Sequence, residues 1–202
     1  VFVREVLYAV NGGPEEVPLA YSDEAFEQFT PALIEQLQAI EPFLWREGTT
    51  YPQNSNELNE LFANGEVDFT MTYGPATLTQ LVADGTYPAG TKVLTLDEGT
   101  VGNASFLGLA STSGSKAGAM VVANLSLSAE QQAAKAQPDV WGQFTVLDLD
   151  QLSDEQRALF EALPSSPVVP AYDVLSENAN PELAAAWVTP IDEGWRQLVL
   201  AQ

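Results

Sequence analysis

Two short clusters of residues have the types and spacing of a small-molecule contact: Tyr73 with Gly74, and further along Glu98, Gly99, Thr100 and Asn103. Tyr73 offers a ring face and a hydroxyl. Glu98 is a carboxylate on a Gly99-containing turn, able to pair with a cation or accept hydrogen bonds, and Thr100 and Asn103 complete a polar rim. The chemistry of this set is recognition. A second chemistry would pair Asp68 or Asp97 with Glu98 as the two carboxylates of glycoside hydrolysis. Adjacent acids on a strand point to opposite faces, which argues against Asp97 and Glu98 acting together.

Three further motifs fail on their partners. Ser113-Gly-Ser-Lys116 has the S-x-x-K spacing of serine acyltransferases, yet no Lys-Thr-Gly occurs and Ser176-Glu-Asn178 only approximates Ser-Asp-Asn. Ser113 or Ser115 reads instead as a helix N-cap. Gly108 to Lys116 has the wrong spacing for a phosphate-cradling loop. Asp148, Asp150 and Asp154 suggest calcium, but Leu152 occupies a ligand position of the EF-hand pattern, so they read as turn and helix-start acids. Asn124-Leu-Ser126 is a glycosylation sequon only in a eukaryotic secretory setting.

The elements that must position Tyr73 and Glu98 follow from periodicity. Phe2 to Val10 is an apolar segment closed by the turn Asn11-Gly-Gly-Pro14. From Ser22 to Arg46, Phe26, Phe29, Leu33, Leu37, Ile40 and Leu44 form a helical stripe, which Thr30-Pro31 either kinks or caps. Asn54-Ser-Asn-Glu57 starts a helix with Leu58, Leu61 and Phe62 on one side, and Gly65 ends it. Val67, Phe69, Met71 and Tyr73 alternate with polar residues, the period of a strand, and Gly74-Pro75 stops it. Pro75 then opens a helix with Leu78, Leu81 and Val82 inward. Ligands of open α/β sheets gather where such a strand ends and a helix begins.

Lys92–Leu96 and Ala104–Ala110 read as further strands. Gly114-Ser115 opens a small-residue helix to about Ala123, Ser128-Ala-Glu-Gln131 and Ser153-Asp-Glu-Gln156 are capping boxes, and Pro181 to Leu200 is helical with a possible break at Pro190. Pro164 to Pro170 is the best linker candidate. Trp45, Trp141, Trp187 and Trp195 read as packing residues.

Composition excludes several classes. The chain has 202 residues, 46% of them hydrophobic, enough for a real core. Its formal charge is −21, from 7 basic and 28 acidic residues. The basic residues are scattered singly, so neither a nucleic-acid phosphate track nor a polybasic membrane anchor is available. A surface of this kind suits a salt-adapted source or an ordinary acidic extracytoplasmic protein. With no Cys and no His, disulfides, thiolate nucleophiles, the usual zinc sites and the side chain best suited to proton transfer near neutrality are absent. No apolar run reaches the length of a membrane span, and no signal-peptide pattern opens the sequence.

The runs LWREGTTYPQNSNELNELFANGEVDFTMTYGPATL (Leu44–Leu78), DEGTVGNASFLGLAST (Asp97–Thr112) and LSLSAEQQAAKA (Leu125–Ala136) resemble, in this order, the extracellular solute-binding proteins of bacterial ABC importers. The resemblance is strongest to the family 1, YnjB-like branch related to thiamine- and polyamine-type binders. Ile191 to Arg196 is similar to the family's closing helix. The resemblance implies an α/β, type II periplasmic-binding-protein-like sheet with flanking helices, largely one lobe of a two-lobed clamp. Residues 1–97 would form the second-lobe α/β core, 98–150 a crossing-back segment with capped helices, and 151–202 a C-terminal helical segment. It further implies a non-catalytic receptor that works in the periplasm or outside the cell, captures a small polar or cationic solute such as a thiamine- or polyamine-like molecule, and hands it to a membrane permease. No cofactor, metal, nucleic acid or membrane insertion is expected. Family members are roughly twice this length, so most of the first lobe, and with it the other wall of the cleft, is expected to lie outside this chain.

Overall fold

The computed structural model describes residues 2–171, 174, 175 and 179–200. About half of the described residues are helical, and no described helix is long and apolar enough to cross a membrane. Contacts divide the chain into two compact units, one of residues 1–57, 94–103 and 173–202, the other of residues 58–93 and 104–172.

In the first unit, α1 (Phe2–Val10) packs on α2 (Asp23–Ile40). Ser22 caps α2 by accepting from the Ala25 N–H, and Asp23 and Glu24 complement the positive end of the helix dipole. Pro31 lies inside α2 without ending it, although it removes one ladder N–H. The inward stripe is legible in the sequence: Leu33 and Leu37 are buried, and Phe26, Phe29 and Ile40 pack against the core. That core also takes Leu7, Tyr8 and Val17, with Leu183, Trp187, Ile191 and Val199 from the far end of the chain. Trp187 is wholly buried and meets Tyr21 edge-on at 5.5 Å between ring centres. The last helix, α8 (Val188–Leu198), runs through Pro190, which sits in its first turn where a missing N–H costs nothing.

Tyr8 donates its hydroxyl to the Pro181 carbonyl at 2.9 Å, and Arg4 beside it forms an ion pair with Glu182. Burial, and then the Glu182 charge, hold the Tyr8 phenol above its ordinary value, with Arg4 opposing. Because the folded value exceeds the unfolded one, this stabilisation is complete below the unfolded pKa of about 10 and is lost as pH rises through the folded pKa. Urea midpoints measured from pH 8 to 11 are expected to fall above about pH 10, and Tyr8→Phe should flatten part of that decline. An unchanged slope would remove Tyr8 from the cause.

The second unit contains most of α3 (Ser55–Ala63), α4 (Leu78–Ala83), α5 (Lys116–Ser126), α6 (Ala129–Ala136) and α7 (Asp154–Glu161). Gly65 closes α3 in a left-handed conformation, and the Glu66 N–H returns to the Leu61 carbonyl. Phe62 meets Tyr87 edge-on at 5.0 Å. Ser153 forms the full reciprocal capping box with Gln156, whereas Ser128 caps α6 through the Gln131 N–H. Gln132, buried on α6, donates to the Ser126 carbonyl and accepts from the Thr145 hydroxyl and the Val146 N–H. Few polar side chains here are so fully used.

Several strand expectations fail. Val67–Tyr73, Lys92–Leu96 and Ala104–Ala110 are extended or irregular coil, and among the described residues their only backbone bond to a distant segment is from the Val93 N–H to the Val168 carbonyl. Alternation marks a chain able to be a strand, but a strand exists only as part of a ladder, and among the described residues no ladder runs along any of these three. The one sheet among the described residues is a parallel pair, β1 (Thr100–Val101) with β2 (Ala179–Asn180). The proline-rich segment 164–170 is no free linker, because Val168 and Val169 are buried in the second unit and Ser166 accepts from both of their N–H groups.

Candidate functional site

Tyr73 and Gly74 belong to the second unit, and Glu98, Gly99, Thr100 and Asn103 to the first. Each group is therefore described within its own unit.

The Tyr73 ring stands 70% exposed, at the end of the segment whose alternation suggested a strand. Its backbone is held from the C-terminal side. The Gly74 N–H donates to the Thr72 hydroxyl at 3.2 Å, and the Gly74 carbonyl accepts from the Thr77 hydroxyl at 2.8 Å and the Thr77 N–H at 3.3 Å. Pro75 opens the short helical turn that runs into α4, as its fixed φ favours. Gly142 packs on this turn with a left-handed backbone, and a Cβ there would come within 2.9 Å of the Ala76 Cβ. Only glycine fits. Trp141, next to it, is 63% exposed, which corrects its reading as a packing residue. Trp187 does pack; Trp195 packs edge-on against Tyr51 at 5.2 Å; half-buried Trp45 carries the Arg46 guanidinium over its ring at 4.2 Å.

In the first unit, Gly99 is buried with φ 85° and turns the chain so that its N–H bonds the Leu96 carbonyl, which leaves Glu98 exposed. Thr100 then pairs with Ala179 in the parallel register, and Thr100 and Asn103 stay exposed. Two contacts that sequence reasoning missed pin this turn. Asn180, nearly buried, donates from Nδ2 to the Glu98 carbonyl at 2.8 Å, and its own carbonyl accepts from the Gly102 N–H at 2.8 Å. Glu5 on α1 accepts from the Val101 N–H. No local signal marks Asn180, because its partner lies far along the chain.

Removing the Asn180 amide deletes its bond to the carbonyl of exposed Glu98, a net loss of about 0.5 to 1.5 kcal/mol. Asn180→Ala is therefore expected to lower the urea midpoint and to speed amide exchange at Gly99 and Thr100. Unaltered exchange there would show that the turn holds without it.

Each group offers ligand contacts within its own unit. Tyr73 presents an aromatic face with a hydroxyl, and the Glu98 turn presents a carboxylate with hydroxyl and amide neighbours. Asp68, Asp97 and Glu98 are all exposed, and no group of three or more Asp or Glu that could hold a metal gathers among the described residues. Ser115 precedes α5 without a side-chain cap bond, while the Ser113 hydroxyl accepts from its N–H. The Ser176-Glu-Asn178 sequence lies outside the described residues.

The chain is similar to protein YnjB of Escherichia coli (strain K12). Identity is 32% over 194 residues, which is 96% of this chain and 48% of YnjB, so the chain spans about half the length of the curated relative it matches. No family model matches the chain, and no solved structure matches it. A likeness to YnjB over 96% of the chain leaves neither unit outside it.

Proposed function

We propose that this chain is the substrate-binding component of a bacterial ABC importer, or part of one, and that it captures a small polar or cationic solute outside the cytoplasmic membrane without catalysing a reaction. The observation that carries the reading is Tyr73: a large ring left 70% exposed on a turn whose backbone is fixed by the Thr72, Gly74 and Thr77 bonds. An aromatic kept in water on a rigid support is poised for a ligand, because covering it would release the cost of its exposure. Separately, within the first unit, the Glu98 turn presents an exposed carboxylate, a natural counter-charge for an ammonium or thiazolium-type cation.

Two further facts support the reading. The Gly-Glu-Val-Asp, Glu-Gly-Thr and Ser-Ala-Glu-Gln sequences stand in the order of the solute-binding family, and YnjB, whose branch the sequence resembles, matches 96% of the chain. The reading carries with it a type II periplasmic-binding fold for the whole protein, a membrane permease as partner, and a periplasmic or extracellular location. It is tested by titrating the full-length protein with thiamine, spermidine, amino acids, sugars and oxyanions in a calorimeter. Saturable binding of one class is expected. Conversion of a glycoside, abolished by Glu98→Gln, would replace the receptor with a hydrolase.

A further inference from the structure

Trp141 and Tyr73 stand in the same unit, and the two turns that carry them touch. A Cβ at Gly142 would fall 2.9 Å from the Ala76 Cβ and 3.1 Å from the Thr77 nitrogen, and one at Gly74 would lie 3.8 Å from the Trp141 carbonyl oxygen. Each turn is also closed on itself. The Val140 and Gly142 N–H groups both donate to the carbonyl of Gln137, the residue after α6, at 3.0 Å, while Thr77 bonds the Gly74 carbonyl. The backbone beside each ring is therefore fixed, and fixed against the other. The rings themselves are left in water, Trp141 63% and Tyr73 70% exposed, and neither meets another ring among the described residues. One exposed aromatic is ordinary on a protein surface. Two of them, on turns locked together through a glycine contact, are a prepared pair of faces.

Charge decides what such faces suit. Residues 58–91 and 136–156, which contain the two turns, hold no Lys or Arg, and Asp68 and Asp139 in them are exposed. Aromatic faces carry negative potential of their own, so rings and carboxylates favour a cation together. A flat, delocalised cation is weakly hydrated and covers a ring face, whereas an ammonium is a compact charge that holds its water. We infer that Trp141 is the second ring of the Tyr73 site, and that the pair takes a flat heteroaromatic cation against its faces, with Asp139, two residues before Trp141, as counter-charge. The inference rests on Tyr73 as a solute contact of the proposed receptor, and it makes the second unit's half of that contact two rings rather than one.

The test is quenching of tryptophan fluorescence by N-methylpyridinium chloride, in this chain and in variants whose fold is checked by far-UV circular dichroism. A saturable component is expected above the linear, collisional one, and Trp141→Leu should remove it. In Tyr73→Leu, where Trp141 still reports, the probe should bind about tenfold more weakly. Gly142→Ala keeps both rings but drives the turns apart, and should weaken the probe as well; if it does not fold, the two variants of exposed residues decide. Spermidine in excess should leave the probe in place. Strictly linear quenching of the parent, or saturable quenching that Tyr73→Leu leaves unchanged, would overturn the pair, and displacement by spermidine would overturn the flat ring as its ligand. Linear quenching beside saturable binding of a solute in the calorimeter would sink the pair and spare the receptor; saturable quenching with no solute bound would do the reverse.

Discussion

Trp187→Ala is expected to unfold the first unit at a far lower urea concentration than the parent, with a loss of about 3 to 5 kcal/mol. The indole is wholly buried and lies against Tyr21 and Phe26, with Leu7, Leu33 and Ile191 in the same core. Truncation removes transfer energy and leaves a cavity that its two aromatic neighbours, Tyr21 and Phe26, cannot collapse into. For a domain whose total stability is about 5 to 15 kcal/mol, the change takes a large share. Trp187→Phe should cost far less. The Trp187 Nε1 is buried without a hydrogen-bond partner among the described residues, so phenylalanine keeps most of the ring contact and discards only an unsatisfied donor. Equal losses for the two variants, read by urea titration with far-UV circular dichroism, would show that the indole N–H contributes after all.

The second large effect concerns binding. Tyr73→Ala should weaken capture of the solute by about tenfold, since a cation over an aromatic face is worth about 0.5 to 2 kcal/mol and each 1.4 kcal/mol is a factor of ten. Stability should hardly change, because the ring is 70% exposed and the turn beneath it is fixed by Thr72, Gly74 and Thr77 rather than by the phenol. Tyr73→Phe separates ring from hydroxyl: near-parental affinity would assign the contact to the ring face. Calorimetric titration of all three proteins reads the effect, and unchanged affinity in Tyr73→Ala would remove this residue from the site.

Local signals in the sequence proved legible where local physics decides. Ser22, Ser128 and Ser153 cap the helices they precede, Gly65 ends α3 in a left-handed turn, and the Leu33–Leu37 stripe finds the core. Strands were not legible in the same way. Val67 to Tyr73 alternates as a strand should, but pairing depends on a second segment that alternation cannot name, and the only ladder among the described residues joins Thr100–Val101 to Ala179–Asn180. Asn180, which holds the Glu98 turn, was invisible for the same reason: its contact spans most of the second half of the chain. The exposure of α5 was equally hidden, because its small-residue face looks like a normal packing stripe until the neighbours are known.

A receptor, as proposed, holds its solute and releases it unchanged. The most direct measurement of this is equilibrium dialysis of the full-length protein against a labelled thiamine- or polyamine-type cation, with the ligand recovered and weighed by mass spectrometry. Saturable retention of one such cation, released chemically unchanged, is expected. Absence of saturable retention for every cation tried, or recovery of a cleaved ligand, would contradict it.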